Sequence, residues 1–259
     1  MSSFIRIIAF GLTLAVCGCA TRGPDLPPPP VHAHGQALWK IISEQCVPGA
    51  LQRRDPAPCA VVSLVGGFVV LKDRDGASQY LVMPTDKITG IEDPKLLAPG
   101  VPNYFAAAWE VRSLVQTRLG RPLEREDLSV AVNSPYGRSQ DQLHLHVDCL
   151  DAGVREALRA DGPQIGPAWS RARFALAGHL YWIRRIDAAT LGRVDPFRLL
   201  ADGMPGARRS MGAWTLVLAG ESSAFGPGFF LMADRADPKA GDRASGESLQ
   251  DHACSRVGG

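Results

Sequence analysis

Residues 142–149 read Gln-Leu-His-Leu-His-Val-Asp-Cys and bring two imidazoles to a regular spacing. Leu143, Leu145 and Val147 alternate with Gln142, His144 and His146, the period of a strand with one buried face. Same-face residues on a strand lie roughly 6.6–6.8 Å apart, so both rings can address one phosphate-sized group. A neutral imidazole is a usable nucleophile at neutral pH because its ordinary pKa is about 6.5. The His-x-His spacing equally suits zinc held by two neutral rings. One lone pair cannot both attack phosphorus and bind zinc, and the spacing alone leaves the two open. For any single strand histidine, a hydrogen-bonded structural role is the plainer alternative.

The elements around this stretch decide what the rings can reach. Residues 128–133 (Leu-Ser-Val-Ala-Val-Asn) alternate as a second strand, and residues 134–141 contain the Pro135 and Gly137 of a turn. Two strands joined by such a loop form a long hairpin that brings backbone N–H groups, Arg138, Ser139 and Gln140 over the histidine face, an arrangement suited to an oxyanion. Upstream, residues 67–72 and 79–83 flank Asp73-Arg74-Asp75-Gly76, a hairpin signal with Lys72 and Asp73 at its rim. Residues 102–120 place Phe105, Trp109, Leu114 and Val115 at helical spacing and end in Gly120, giving a helix for the back of the sheet. Strand, strand, helix, strand, strand makes an antiparallel α+β unit.

Beyond residue 149 the spacing predicts a helix over 155–160, a strand over 174–186, a helix near 196–201, and strands at 214–219 and 228–232. This order loosely echoes the first half without its paired histidines. It allows a degenerate second half that extends the sheet, although no clear sequence repeat accompanies it. His179 could face a substrate; packing with Tyr181 and Trp182 is the structural alternative.

The chain of 259 residues has a formal net charge of +2, with basic residues spread along it and not gathered into a stripe, so nucleic-acid binding is not expected. Residues 1–19 carry Arg6, an apolar run over 7–16 and the small-residue stretch Cys17-Gly18-Cys19-Ala20, which reads as an export signal too short to span a bilayer. Residues 20–35 hold the run Pro27-Pro28-Pro29-Pro30 and form a tether, in which His32 and His34 are expected to be solvated. The remaining residues, 36–259, form one domain, opening with an amphipathic helix over 36–44.

Four cysteines lie outside the signal, and an even set in an exported chain suggests disulfides, with three pairings open. Cys46–Cys59 with Cys149–Cys254 is preferred. The first closes a local loop, and the second ties the histidine strand to the C-terminal segment.

An Asn ending one strand, a Gly/Ser/Gln loop and a strand alternating histidine with apolar residues resemble the histidine triad (HIT) hydrolases and transferases, whose motif is His-φ-His-φ-His-φ-φ. The blocks Tyr-Leu-Val-Met-Pro-Thr (80–85), Val-Asn-Ser-x-x-Gly-Arg-Ser-Gln (132–140), His-Leu-His-Val-Asp-Cys (144–149) and Gly-His-x-Tyr-x-x-Arg-Arg (178–185) are similar to bacterial CDP-diacylglycerol pyrophosphatases. This resemblance runs from about residue 39 to residue 254, with Gln142 standing where the triad has its first histidine.

The resemblance implies a HIT-like antiparallel sheet with packed helices and hydrolysis of membrane-borne CDP-diacylglycerol to CMP and phosphatidate. In that reading His144 is the nucleophile and forms a nucleotidyl-histidine, while His146 and Gln142 hydrogen-bond around the phosphate. Asn133, Ser139 and Gln140 sit on the phosphate or beside it, and Lys72 and Asp73 lie toward the sugar. No metal or other cofactor is required.

An uncleaved or simply cleaved signal would leave Cys17 and Cys19 incidental; otherwise the box Val16-Cys17-Gly18-Cys19 resembles a bacterial lipoprotein cleavage site, with Cys19 as the lipidated residue, and implies attachment to the inner membrane facing the periplasm. Two alternatives stand beside this: an exported module that only binds a nucleotide or lipid headgroup, and a zinc-dependent phosphohydrolase using the His-x-His pair.

Overall fold

Alternation sorts the residues of each strand onto two faces, and one sheet carries that sorting through the whole protein. The structure, a computed structural model, describes residues 26–223 and 226–255. The expected signal over residues 1–19, with Cys19, lies outside them. Helix α1 (Ala37–Lys40) runs through a wider π turn (Ile41–Cys46) into α2 (Val47–Arg53). Strands β1 (Val61–Ser63), β2 (Phe68–Lys72) and β3 (Tyr80–Pro84) follow, then α3 (Tyr104–Glu110), α4 (Ser113–Leu119), β4 (Leu128–Val132) and β5 (Leu145–Cys149). The chain continues through α5 (Ala152–Asp161), β6 (Ser170–Arg171), β7 (Trp182–Asp187), α6 (Ala188–Leu191), α7 (Pro196–Gly203), β8 (Trp214–Ser223) and β9 (Gly226–Arg235). A 3₁₀ turn at Gly246–Leu249 comes last.

The strands form a nine-stranded sheet in the order β1-β2-β3-β5-β4-β8-β9-β7-β6, with every neighbouring pair antiparallel. The expected α+β architecture is therefore present. The second half, β6-β7, helices, β8-β9, extends the sheet in the same element order as β2-β3, helices, β4-β5, the two halves meeting at the β4–β8 pair.

One face of the sheet, with Val82, Leu145, Val147, Val130, Leu218 and Leu231, packs on α3, α4 and α7. Phe105 of α3 and Phe197 of α7, both fully buried, meet edge to face with centroids 5.1 Å apart. Burying each such ring stabilises the fold by roughly 1.5–3 kcal/mol.

The opposite face is covered in two separate places. Ile42 and Cys46 of the N-terminal segment cover Val69, Leu81 and Met83, while Val154 and Leu158 of α5 cover Ala131, Val217 and Phe230. Between these covers runs β5, with His146 on that face and His144 just ahead of it, both buried.

The helix expected over 102–120 is two helices. Arg112 donates from Nη1 to the Trp109 carbonyl at 2.6 Å, a carbonyl that a continuing helix would have used, and the break falls there. Gly120, at φ +68°, ends α4 in the left-handed conformation only glycine adopts freely. The strand expected over 174–186 begins only at Trp182. Ala177 (φ +47°) and Gly178 (φ +86°) reverse the chain before it, closing Leu176 onto His179. Both preferred disulfides are present, Cys46–Cys59 and Cys149–Cys254.

The Pro-rich stretch is described from residue 26. Tyr136 Oη donates to the Pro27 carbonyl at 2.6 Å, and His32 Nδ1 lies 3.0 Å from Asp141 Oδ1. The expectation that His32 is solvated is corrected: its side chain is 11% exposed, because the loop after β4 folds back and delivers Asp141 to it. His34 is exposed.

Candidate active site

β5 is held between β3 and β4, with Leu81 and Ala131 flanking His146 in register. His144 sits one residue before the strand begins. Its Nδ1 is 2.6 Å from the Gln142 carbonyl, and since a carbonyl only accepts, Nδ1 carries the proton and Nε2 the lone pair. Burial, then the neighbouring His146, push the His144 pKa down to about 3, although the Gln142 carbonyl and Glu247 act the other way. The ring is therefore neutral throughout the physiological range.

His146 stands edge-on to it, ring centroids 4.9 Å apart. This second ring is differently held. Its Nδ1 is 3.0 Å from Glu247 Oε2, and the side-chain amide of Gln79 meets the same nitrogen. A carboxylate only accepts, so Nδ1 protonated toward Glu247 requires the Gln79 amide to turn its oxygen, not its NH₂, to the ring. Its Nε2 is buried and has no hydrogen-bond partner among the described residues, although the whole residue is only 6% exposed. An orphaned buried polar atom is costly, of order 1–3 kcal/mol, and is relieved when a ligand supplies the partner. Burial opposes ionisation of Glu247, but the hydrogen bond and charge of His146, with His252 and His144 nearby, hold its carboxyl down at about 2. The pair is thus one neutral imidazole with an available lone pair beside one imidazole backed by a carboxylate.

Asn133, at the end of β4, accepts at Oδ1 from Glu247 N (3.2 Å) and Ser245 Oγ (3.3 Å). It fixes the turn that carries Glu247 and keeps only its NH₂ for a ligand. Gln142 departs from its expected role. Its NH₂ donates to the carbonyls of Pro84 (3.3 Å) and Asp86 (3.0 Å), and its Oε1 is buried without a partner among the described residues. With both donors already used it anchors the start of β5 and has none left to offer a phosphate.

Gln140 accepts from the Leu38 N–H at 3.3 Å, tying the loop to α1, and Ser139 is exposed. Lys72 Nζ donates to the carbonyls of Asp73 and Gly76, and Asp73 accepts from the Asp75 N–H at 3.2 Å, so both brace their own hairpin.

Arg138 is a structural cation: its guanidinium grips Glu92 through two bonds of 2.6 Å and reaches Asp141 at 3.2 Å, with the side chain 4% exposed. Arg138→Ala should cost roughly 2 kcal/mol in urea unfolding, the lower side for a buried pair because Glu92 is partly exposed.

Four residues at the site were not singled out in the sequence as chemical: Glu247, Gln79, Asp148 and His252. Asp148 continues the period-two face of His144 and His146 and is fully buried, bonded to His252 Nδ1 (2.9 Å) and Ser78 Oγ (3.3 Å). That hydrogen bond, against the opposing effect of burial, raises the His252 pKa, with Glu247 and Asp73 adding to it. The period-two pattern could have flagged Asp148. Glu247 lies in a turn with no pattern to betray it.

His179 is elsewhere, paired with Asp242 at 2.9 Å and 4.0 Å from Asp234. The donor atoms of these three lie within 4.8 Å of one another, and burial, then the neighbouring Asp242, push the Asp234 carboxyl up to about 7. In a second set, Asp148, Cys149 and Cys254, both sulfurs are spent in the disulfide. Among the described residues, no cluster of three such donors includes His144 or His146. No helix among the described residues is long and apolar enough to cross a membrane.

The family model described as CDP-diacylglycerol pyrophosphatase matches residues 33–258. A protein of Yersinia pestis named CDP-diacylglycerol pyrophosphatase is 47% identical over 222 residues, which cover 86% of this chain and 85% of the relative.

Proposed function

Because the chain belongs to the CDP-diacylglycerol pyrophosphatase family, we propose that it hydrolyses the pyrophosphate bond of CDP-diacylglycerol to CMP and phosphatidate through a nucleotidyl-histidine on His144. The observation that carries the covalent path is the 2.6 Å contact of His144 Nδ1 with the Gln142 carbonyl, which leaves the lone pair on Nε2 of a ring kept neutral by burial. A pyrophosphate repels anionic nucleophiles, so an uncharged nitrogen is the suitable attacker. His144 Nε2 bonds to the cytidylyl phosphorus, and the bridging oxygen leaves with its electron pair on phosphatidate. Water then attacks the same phosphorus, the N–P electrons return to Nε2, and CMP departs.

The membrane setting belongs to the same proposal. Two disulfides fit an oxidising compartment. The sequence of residues 1–19 has the features of an export signal and offers Cys19 as a lipid acceptor, which supports a site of action at the inner membrane facing the periplasm.

The path is tested by stereochemistry. A CDP-diacylglycerol made chiral at the cytidylyl phosphorus with sulfur is hydrolysed in ¹⁸O water. Two successive displacements give CMP thiophosphate with retained configuration. Inversion would show a single displacement and remove His144 as covalent carrier.

A further inference from the structure

Gln142 occupies the place of a histidine in the triad pattern, yet it can neither carry a positive charge nor offer its amide donors, which Pro84 and Asp86 already hold. A departing phosphatidate oxygen still needs a proton or a positive charge. The donor has to come from elsewhere.

We propose that Glu247 is a positioning residue that acts through His146: its carboxylate holds the proton on Nδ1 and so makes His146 the imidazolium that donates from Nε2 to the leaving oxygen. This rests on the hydrolytic reading above and deepens it by naming the acid. Three observations carry it. Glu247 Oε2 lies 3.0 Å from His146 Nδ1. Asn133 pins the Glu247 backbone, so the carboxylate is held by the fold and not by chance. His146 Nε2 is buried and unpartnered among the described residues, on the same sheet face as the nucleophile. The depressed pKa of Glu247, about 2, means that the carboxylate is charged wherever the enzyme works.

Other groups set the field around His146. His144 and Asp148 face it from its own strand, Gln79 from the β2–β3 hairpin and Glu247 from the 3₁₀ turn. His252 and Asp73 lie beyond Glu247, and Arg138 lies beyond His144. Glu247 is the carboxylate that contacts the ring. The two histidines divide the labour by their Nδ1 partners. A carbonyl at His144 gives a lone pair at Nε2, and a carboxylate at His146 favours an N–H there.

Protons balance over the cycle. In the first displacement the His146 Nε2 proton goes to the bridging oxygen as the P–O bond breaks, leaving His146 neutral. In the second, the attacking water gives one proton to His146 Nε2, which regenerates the imidazolium, and its oxygen stays on CMP.

The test uses the full disulfide-bonded chain, CDP-diacylglycerol in mixed micelles, and the variants Glu247→Gln and Glu247→Asp. Glu247→Gln should lower kcat about 10²-fold, the lower end for an acid–base contribution, with KM changed less than threefold. The high-pH limb of kcat/KM should move to lower pH, because removing a neighbouring anion makes the imidazolium easier to deprotonate. Glu247→Asp should recover part of kcat.

Nitrogen-15 NMR of His146 in the resting enzyme should show it titrating at lower pH in Glu247→Gln than in the parent. An unchanged His146 titration or an unmoved high-pH limb overturns the inference, and retention at phosphorus would then leave the covalent reading intact. A shifted titration combined with inversion keeps the pair as the acid and overturns the covalent reading instead.

Discussion

His144→Ala should lower CDP-diacylglycerol turnover by at least about 10⁴-fold, the scale seen when a covalent nucleophile is removed and only binding and charge stabilisation remain. Under the proposed covalent path the loss should appear in kcat, because a ring that acts on phosphorus contributes little to holding the two acyl chains. Folding should survive. His144 is buried, but among the described residues its hydrogen bond is to a nearby backbone carbonyl, so its removal leaves no stranded charge and should cost roughly 1–2 kcal/mol.

Circular dichroism and thermal unfolding run beside the release of CMP separate the two effects. An alanine variant with turnover near the parent value would end the proposal. The parent's pH profile offers a further check. A nucleophile with a pKa near 3 loses its lone pair only well below pH 5, so no acid-side loss centred near 6.5 should trace to His144.

The second large effect is on stability. Cys149 and Cys254 are separated by 105 residues and Cys46 and Cys59 by 13. In the chain-entropy account a loop near a hundred residues gives about 4.7 kcal/mol and one near fifteen about 3. Cys254→Ser should therefore lower the guanidinium unfolding free energy by about 4–5 kcal/mol, and Cys59→Ser by less. Activity should also fall further in Cys254→Ser. The segment that Cys254 secures includes Gln250, which donates to the His146 carbonyl (3.1 Å) and Ser129 Oγ (3.0 Å), and Glu247 itself. Denaturation with and without reductant measures both. Equal losses for the two cysteine variants would remove the special place given to the longer closure.

Most strands and the disulfide pairing were legible because they rest on local alternation and on a small set of cysteines. The site was legible where it followed the same alternation. His144, His146 and, unread, Asp148 all lie on one period-two face. What escaped depended on long-range delivery. Glu247 reaches His146 across 101 residues, and Asp141 reaches His32 across 109, so no window of sequence contains both partners. Gln142 misled for a related reason. Its amide chemistry was read correctly, but the carbonyls that consume it belong to the end of β3 and the residues after it, 56 and 58 positions away. The break in the 102–120 helix was hidden in one arginine side chain competing for a backbone carbonyl.

The turn at Gly246–Leu249 and the cysteine that secures it lie far downstream of the histidine strand, Cys254 being 105 residues beyond Cys149. During synthesis, therefore, the histidine strand is made long before the piece that flanks it. A nascent chain that has not yet delivered this segment would lack the carboxylate beside His146, and under the proposed mechanism it would stay nearly idle until the segment had been threaded home and oxidised.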